Sequence, residues 1–348
     1  MDLINAWAAI LIFSIFMYVV LDGFDLGVGI IFPFFADSSQ RDVMINSIAP
    51  VWDGNETWLI FTGVCLLAIF PKAYSILLPA LYIPVIAMLL GLVFRGVAFE
   101  FREAGGAWKL RWDILFHIGS VVVAFSQGII LGSVIQGTTI FNGQFAGYWL
   151  DWLSPFTLFT GLAVVIGYAL MGASWLVMKT TDGMQQKART ISAFAITITF
   201  VALIIISLWT TDLNQYYFDK WFNWPGYWFT LLIPLMSIIA TTWFIYGLYK
   251  QSQFTQKQAT EKQVTAKHQS TPFLASIALF ASGYIGVLYN LYPYILPPNL
   301  TFKAAAAPDS SLHFLIIGTL VMLPIVVSYF VYSHYVFRGK VKPKELDY

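Results

Sequence analysis

The chain has 348 residues, 58% of them hydrophobic and 11% charged, with a formal net charge of +1 and a mean hydropathy of +0.72. This composition excludes a soluble globule and a nucleic-acid binder with a strongly basic face, and describes a polytopic membrane protein. The lone cysteine, Cys65, excludes disulfides within the chain, Cys-ligated clusters and zinc ribbons, and reads as a small apolar filler.

Apolar runs long enough to cross a bilayer core of about 30 Å recur along the whole chain, and each satisfies its backbone internally only as a helix. Nine spans are predicted, near residues 4–31, 50–70, 76–96, 114–136, 156–178, 190–210, 228–249, 272–292 and 313–335. The first lacks a basic leader and a small-residue cleavage site and runs straight into Asp22 and Asp25, so it is expected to be a retained helix and not a signal peptide. The fold class expected is an all-α membrane bundle forming a single integral membrane domain over 1–348, with a Gln/Thr/Lys-rich cytoplasmic linker at 251–271 between the seventh and eighth spans.

Sixteen of the nineteen Lys and Arg residues fall on one side of this topology. Lys72, Lys220 and Lys303 are left on the other, which places the N-terminus outside and the C-terminus in the cytoplasm. The aromatic connections Tyr148-Trp149-Leu150-Asp151-Trp152 and Trp221 to Trp228 lie on the poorly basic side and read as headgroup-level anchors.

Carboxylates inside such segments are costly unless they face a protein interior or a wet cavity. On the first span Ser14, Tyr18, Asp22, Asp25 and Gly29 follow steps of four, four, three and four, which lines them on one helix face. Gly23 and Gly27 form a small-xxx-small pair that admits a close neighbour. The second helix is expected to start near Pro50, so Asp53 and Glu56 occupy its first two turns. There they either cap a helix start or join Asp22 and Asp25 at one depth. Arg95, in the stretch Phe94 to Arg102 that closes the third span, is the nearest intramembrane counter-charge. Four acids facing one base cannot all be paired by it, and burial and like-charge proximity favour protonated or hydrated carboxyls that pass protons on.

On the fourth span Ser126, Gln127, Ser133 and Gln136 stand among glycines and are expected to hydrogen-bond across a tight helix crossing. The four histidines are His117, His268, His313 and His334. His268 falls in the linker and His313 at the outer start of the ninth span; His117 and His334 fall near the cytoplasmic ends of their helices, and both read more readily as interfacial polar residues than as ligands of a shared haem. No covalent haem, dinucleotide or nucleotide motif is present, so no catalytic residue, cofactor-binding residue or metal ligand is expected in this chain.

The stretches Leu21-Asp-Gly-Phe-Asp-Leu-Gly-Val-Gly29, Met44-Ile-Asn-Ser-Ile-Ala-Pro-Val-Trp-Asp-Gly-Asn-Glu-Thr-Trp58, Phe94-Arg-Gly-Val-Ala-Phe-Glu-Phe-Arg102, Pro293-Tyr-Ile-Leu-Pro297 and Tyr335-Val-Phe-Arg-Gly-Lys-Val341 together closely resemble subunit II of the cytochrome bd-type quinol oxidases, including their cyanide-insensitive relatives. The resemblance spans the whole chain. It implies a bacterial inner-membrane respiratory enzyme that oxidises quinol and reduces dioxygen to water, with each large subunit built as two four-helix bundles plus a peripheral helix. It further implies a heterodimer with subunit I, which carries the quinol-oxidation loop, two haems b and one haem d. A structural quinone is bound to this subunit in some members; a small accessory subunit and surrounding membrane lipids are further expected partners. By the same resemblance the aspartate of the Trp-Asp-Gly-Asn motif, here Asp53, takes part in a cytoplasmic proton path, and Glu56 stands where some members have Gln. The expectation is therefore a proton path through Asp53, with Asp25 and Glu56 in support, Asp22 beside them and Arg95 as electrostatic partner. A purely structural scaffold and a proton- or cation-coupled transporter are the alternatives.

Overall fold

A backbone that crosses hydrocarbon must satisfy its own N–H and C=O groups, and this chain does so almost entirely with helices. The computed structural model describes residues 3–102, 104–224, 226–257 and 269–341. In chain order these form α1 (Leu3–Ile31), α2 (Ser38–Ile48), α3 (Trp52–Ile69), α4 (Pro71–Ala80), α5 (Tyr82–Arg102), α6 (Lys109–Gln136), α7 (Pro155–Lys179), α8 (Asp182–Leu213), α9 (Gln215–Phe222), α10 (Gly226–Lys257), α11 (Thr271–Leu291), α12 (Phe302–Ala305) and α13 (Asp309–Val336). Eight of them are long and apolar enough to cross a membrane, and α3 with α4 makes a ninth candidate bent by 119°.

The bend has a local cause. Pro71 opens α4 without an N–H to extend the α3 ladder, and Phe70 before it is displaced from the helical region to φ −122°, ψ 55°. The third span expected at 76–96 is corrected accordingly: residues 71–80 belong to the bent unit, and α5 begins at Tyr82. Likewise α3 begins at Trp52, after the turn that holds Pro50. Helix α10 runs on to Lys257, into the stretch expected as linker, and positions 258–268, with Lys262, Lys267 and His268, lie outside the described residues.

Helices α1, α3, α5 and α6 pack together, and α7, α8, α10 and α11 form a second group. Both α1 and α6 lie against α7 across the seam, while α13 sits at the periphery against α1 and α3 with most of its surface exposed. Glycine makes the seam possible. A Cβ on Gly27 would fall 1.9 Å from the Tyr168 carbonyl oxygen and 2.6 Å from the Gly172 nitrogen, so α1 and α7 meet backbone to backbone.

The N-terminus of α7 is fixed by reciprocal bonds: Thr157 N–H donates to Ser154 Oγ, and Ser154 N–H donates to Thr157 Oγ1. A short hairpin pairs β1 (Ile140–Phe141) with β2 (Gln144–Phe145), turning through Asn142 and Gly143, both at positive φ as a two-residue turn of this kind requires. A second ladder pairs β3 (Tyr294–Leu296) with β4 (Leu300–Thr301).

From Asp22 to Ile31 every residue of α1 is buried. This helix is the axis around which the first group and α7 are arranged. The outer faces of α8, α10 and α13 carry exposed Phe194, Ile239 and Phe314, as expected of surfaces that meet lipid chains.

Candidate functional site

The polar face expected on α1 is buried throughout: Ser14, Tyr18, Asp22, Asp25 and Gly29 all lie in the interior. A Cβ on Gly29 would fall 2.0 Å from Ser120 Oγ, so its absence lets α6 close on α1.

Helix α5 delivers the counter-charge. Gly91 of α5 crosses Gly119 of α6 so tightly that a Cβ on Gly119 would fall 2.8 Å from the Gly91 carbonyl oxygen and 3.1 Å from the Arg95 nitrogen, and the Arg95 side chain is 1% exposed. Arg95 Nη1 donates to Asp22 Oδ1 at 3.0 Å and to Glu56 Oε1 at 2.6 Å. The guanidinium lies 6.0 Å from the Trp52 ring centroid, so the first residue of α3 walls the pair on one side. Arg95, expected from sequence as the intramembrane counter-charge, is enclosed and pairs Asp22 and Glu56.

Asn55, one residue before Glu56, donates from Nδ2 to Asp25 Oδ2 at 2.6 Å and to the Leu21 carbonyl oxygen at 3.2 Å. Helices α1, α3 and α5 are thereby joined through Asp22, Asp25, Asn55, Glu56 and Arg95. Several polar atoms in this group are buried without a hydrogen-bond partner: Asp22 Oδ2, Asp25 Oδ1, Asn55 Oδ1, Arg95 Nε and Arg95 Nη2. Groups so placed in proteins are ordinarily satisfied by water.

Asp53 does not join them. It is exposed, and among the described residues no hydrogen bond engages its carboxylate. The expected meeting of four acids is therefore corrected to three. The reason is helix geometry: Asn55 and Trp58 mark the inward face of α3, and Asp53 stands two residues from Asn55, roughly 200° around the helix. Glu56 occupies the border, with its side chain 22% exposed, so it lies between the outward-facing Asp53 and the enclosed Arg95.

A hydrogen-bonded file reaches the same cluster from the seam. Tyr168 OH donates to Gln127 Oε1 at 2.6 Å, and Gln127 Nε2 donates to Tyr18 OH at 2.7 Å, one helical turn from Asp22. Gln127 thus makes the interhelical bonds expected of it, and Gln136 accepts from Ser154 Oγ. Ser133 Oγ has no partner.

A second ionic cluster, at the end where α1 and α5 finish, was missed from sequence. Arg102 donates to Asp113 Oδ1 at 2.5 Å and Asp42 Oδ1 at 2.6 Å, Arg41 donates to Asp113 Oδ2 at 2.9 Å, and Lys109 lies 2.9 Å from Asp42. Burial draws the Asp42 carboxyl upward, but the hydrogen bonds from Lys109 and Arg102 outweigh it and hold the group below the usual carboxylate range. The partners come from α2, α5 and α6. Only Arg102 sat in a stretch the sequence marked.

The three described histidines are dispersed. His117 Nδ1 bonds the Gly29 carbonyl oxygen at 3.0 Å, His334 Nδ1 bonds that of Phe330 at 3.0 Å and His313 Nδ1 that of Asp309 at 2.8 Å. Among the described residues, no three or more His, Cys, Asp or Glu converge as a metal site.

Comparison with known proteins agrees with this architecture. The chain is 24% identical over 365 residues to the probable cytochrome oxidase subunit 2 of Haemophilus influenzae, covering 98% of this chain and 96% of that one. It is 29% identical over 332 residues to cytochrome bd ubiquinol oxidase subunit 2 of Bacillus subtilis, covering 94% of each. It is 34% identical over 201 residues to cytochrome bd-I ubiquinol oxidase subunit 2 of Escherichia coli, covering 55% of this chain and 53% of that one. The fold matches a chain of the bd oxidase from Geobacillus thermodenitrificans with a TM-score of 0.76 at 19% identity, over 97% of this chain and 99% of that one. Residues 3–337 match the family described as cytochrome bd terminal oxidase subunit II, and the chain belongs to that family.

Proposed function

We propose that the chain serves a quinol:dioxygen oxidoreductase by stabilising its haem-bearing partner, subunit I, and by carrying protons from the cytoplasm through Asp53, Glu56, Asp25 and Asp22. The observation that supports this most strongly is the imbalance at Arg95. One guanidinium faces three enclosed or half-enclosed carboxyls, of which it pairs two, and Asp25 retains an oxygen without a partner. A site with more carboxyls than cations inside a low-dielectric surround holds exchangeable protons, because full ionisation would leave uncompensated negative charge.

The order of the groups follows from their exposure. Asp53 lies on an outward stripe of α3 with Thr57, Ile60, Val64 and Leu67, at helical spacing. This stripe is where we place the contact with subunit I. Glu56 at the border passes protons inward, Arg95 fixes its position, and Asp25 with Asp22 forms the interior store. The haems of the complex supply the oxygen chemistry when bound in the partner. This chain's residues hold and move protons. The sidedness of Lys and Arg places the N-terminus outside and the C-terminus in the cytoplasm, so the α1 and α5 ends near the cluster open inward.

A scaffold reading is favoured by the same ion pairs, since Arg95 locks α1 to α3 and α5. The two separate under Asp53→Asn in the assembled complex. Slower oxygen consumption with an intact haem spectrum supports the proton path. Unchanged consumption removes Asp53 from it, and loss of haem supports a structural role.

A further inference from the structure

Beyond α13 the chain doubles back on the end of α7. Val341 N–H donates to the Lys179 carbonyl oxygen at 2.9 Å, Lys340 Nζ donates to that of Thr180 at 2.6 Å, and Lys179 Nζ donates to the carbonyl oxygens of Phe337 and Gly339. This strap is the Tyr335 to Val341 stretch marked in the sequence, and the proton path makes no use of it. It forms one wall of a half-open cavity of about 250 Å³ between the α2–α3 turn, the last turns of α7 and the end of α13.

The chemistry of the walls is one-sided. Among the described residues, the ionisable side chains lining the cavity are Lys179, Lys340 and His334, with no carboxylate. Asp182, whose charge acts on Lys340, lies outside the lining. Trp175 is 4% exposed and its indole Nε1, which can only donate, has no acceptor. His334 spends its Nδ1 on the Phe330 carbonyl oxygen, which leaves Nε2 buried and unpartnered. Val51, which lines the cavity, precedes the uncapped N-terminus of α3, whose dipole adds a further positive end.

Two ammonium groups, an unspent indole N–H and a helix N-terminus around one cavity make a set of donors for an anion. The remaining walls include Pro50, Val51, Val336 and Phe337, and α13 beside them exposes its outer face to lipid. Basic pockets between membrane helices at the basic side of a bilayer suit phosphate-bearing headgroups. We propose that this strap-lined cavity binds a phosphate group, that of an anionic phospholipid or a soluble phosphate, through Lys340, Lys179 and Trp175 Nε1.

The test uses the assembled, detergent-purified complex after delipidation. Retention of phosphatidylglycerol and of phosphatidylcholine is measured by native mass spectrometry, and binding of inorganic phosphate by titration calorimetry. The variants are Lys340→Gln, Trp175→Phe and, as a control on an exposed cation, Arg338→Gln. Wild-type complex is expected to retain phosphatidylglycerol over phosphatidylcholine, and Lys340→Gln to weaken that retention about tenfold, the loss of one charge-assisted hydrogen bond. Arg338→Gln should leave it unchanged. Inorganic phosphate bound with the same dependence on Lys340 would uphold the site and assign it a soluble ligand. If Lys340→Gln prevents assembly, Trp175→Phe decides, since it keeps a ring against Phe24, 4.2 Å away between centroids, and removes the N–H alone. Equal retention by wild type and variants, or no preference for the anionic lipid, overturns the proposal.

Discussion

Asn55 donates a 2.6 Å hydrogen bond to Asp25, tying the first turns of α3 to the buried half of α1. The bond fills one carboxyl oxygen and leaves the other open, so Asn55 orients Asp25 without saturating it. Replacing Asn55 by Leu keeps the volume and removes the donor. The assembled complex should lose about 1–3 kcal/mol of stability, the usual consequence of leaving a buried acceptor unmade, seen as a lower thermal midpoint. An unchanged midpoint would mean that Asp25 is held by something else.

Arg95 is the cation shared by Asp22 and Glu56. Arg95→Met strands both carboxyls and should cost about 3–5 kcal/mol, enough to reduce recovery of assembled complex sharply. Adding Asp22→Asn and Glu56→Gln to Arg95→Met removes the stranded charges and should restore much of the yield. Failure of the triple variant to exceed the single one would show that Arg95 acts by packing and not by charge.

Gly27 lets α1 and α7 touch through their backbones. Gly27→Ala places a methyl group where the Tyr168 carbonyl stands, and the two bundles must separate. Overpacking of this kind costs about 1–3 kcal/mol or more, and thermal unfolding of the complex measures it. Gly318, on the peripheral α13, has open space around its Cβ position, so Gly318→Ala serves as the tolerated control.

Asp42 bridges Arg102 and Lys109 at the basic end of α5 and α6. Its folded carboxyl titrates below the ordinary value of 3.8, so its contribution is present above that pH and lost as pH falls through the lower folded value. Asp42→Asn should lower the thermal midpoint at neutral pH by a small amount, because the side chain is 42% exposed and solvent screens the pair. The difference from wild type should shrink as pH falls below 3.8. A gap that persists in acid would remove the ion pair as its cause.

Much of this site was legible in the sequence because helix spacing is a strong signal. Steps of three and four put Asp22 and Asp25 with Tyr18 on one face, and the scarcity of cations within the spans made Arg95 their partner. The facing of α3 was not legible. Apolar residues surround it, so only tertiary packing reveals that Asn55 and Trp58 turn inward while Asp53 turns out. The break at Phe70 was masked by continuous hydrophobicity, although Pro71 was its signal. Asp42 and Asp113 lie far apart in sequence and meet only because Arg102 spans both, a relationship no local pattern encodes.

The claim that enclosed carboxyls carry protons is tested most directly at Asp25, which is fully buried and has no cation of its own within bonding distance. Asp25→Asn preserves shape, and its complex should retain the haem spectrum of wild type while proton uptake during turnover, followed with a pH-sensitive dye, slows by about a hundredfold, the scale of losing a proton-transfer group. Uptake at the wild-type rate, with the haem spectrum intact, would contradict the account.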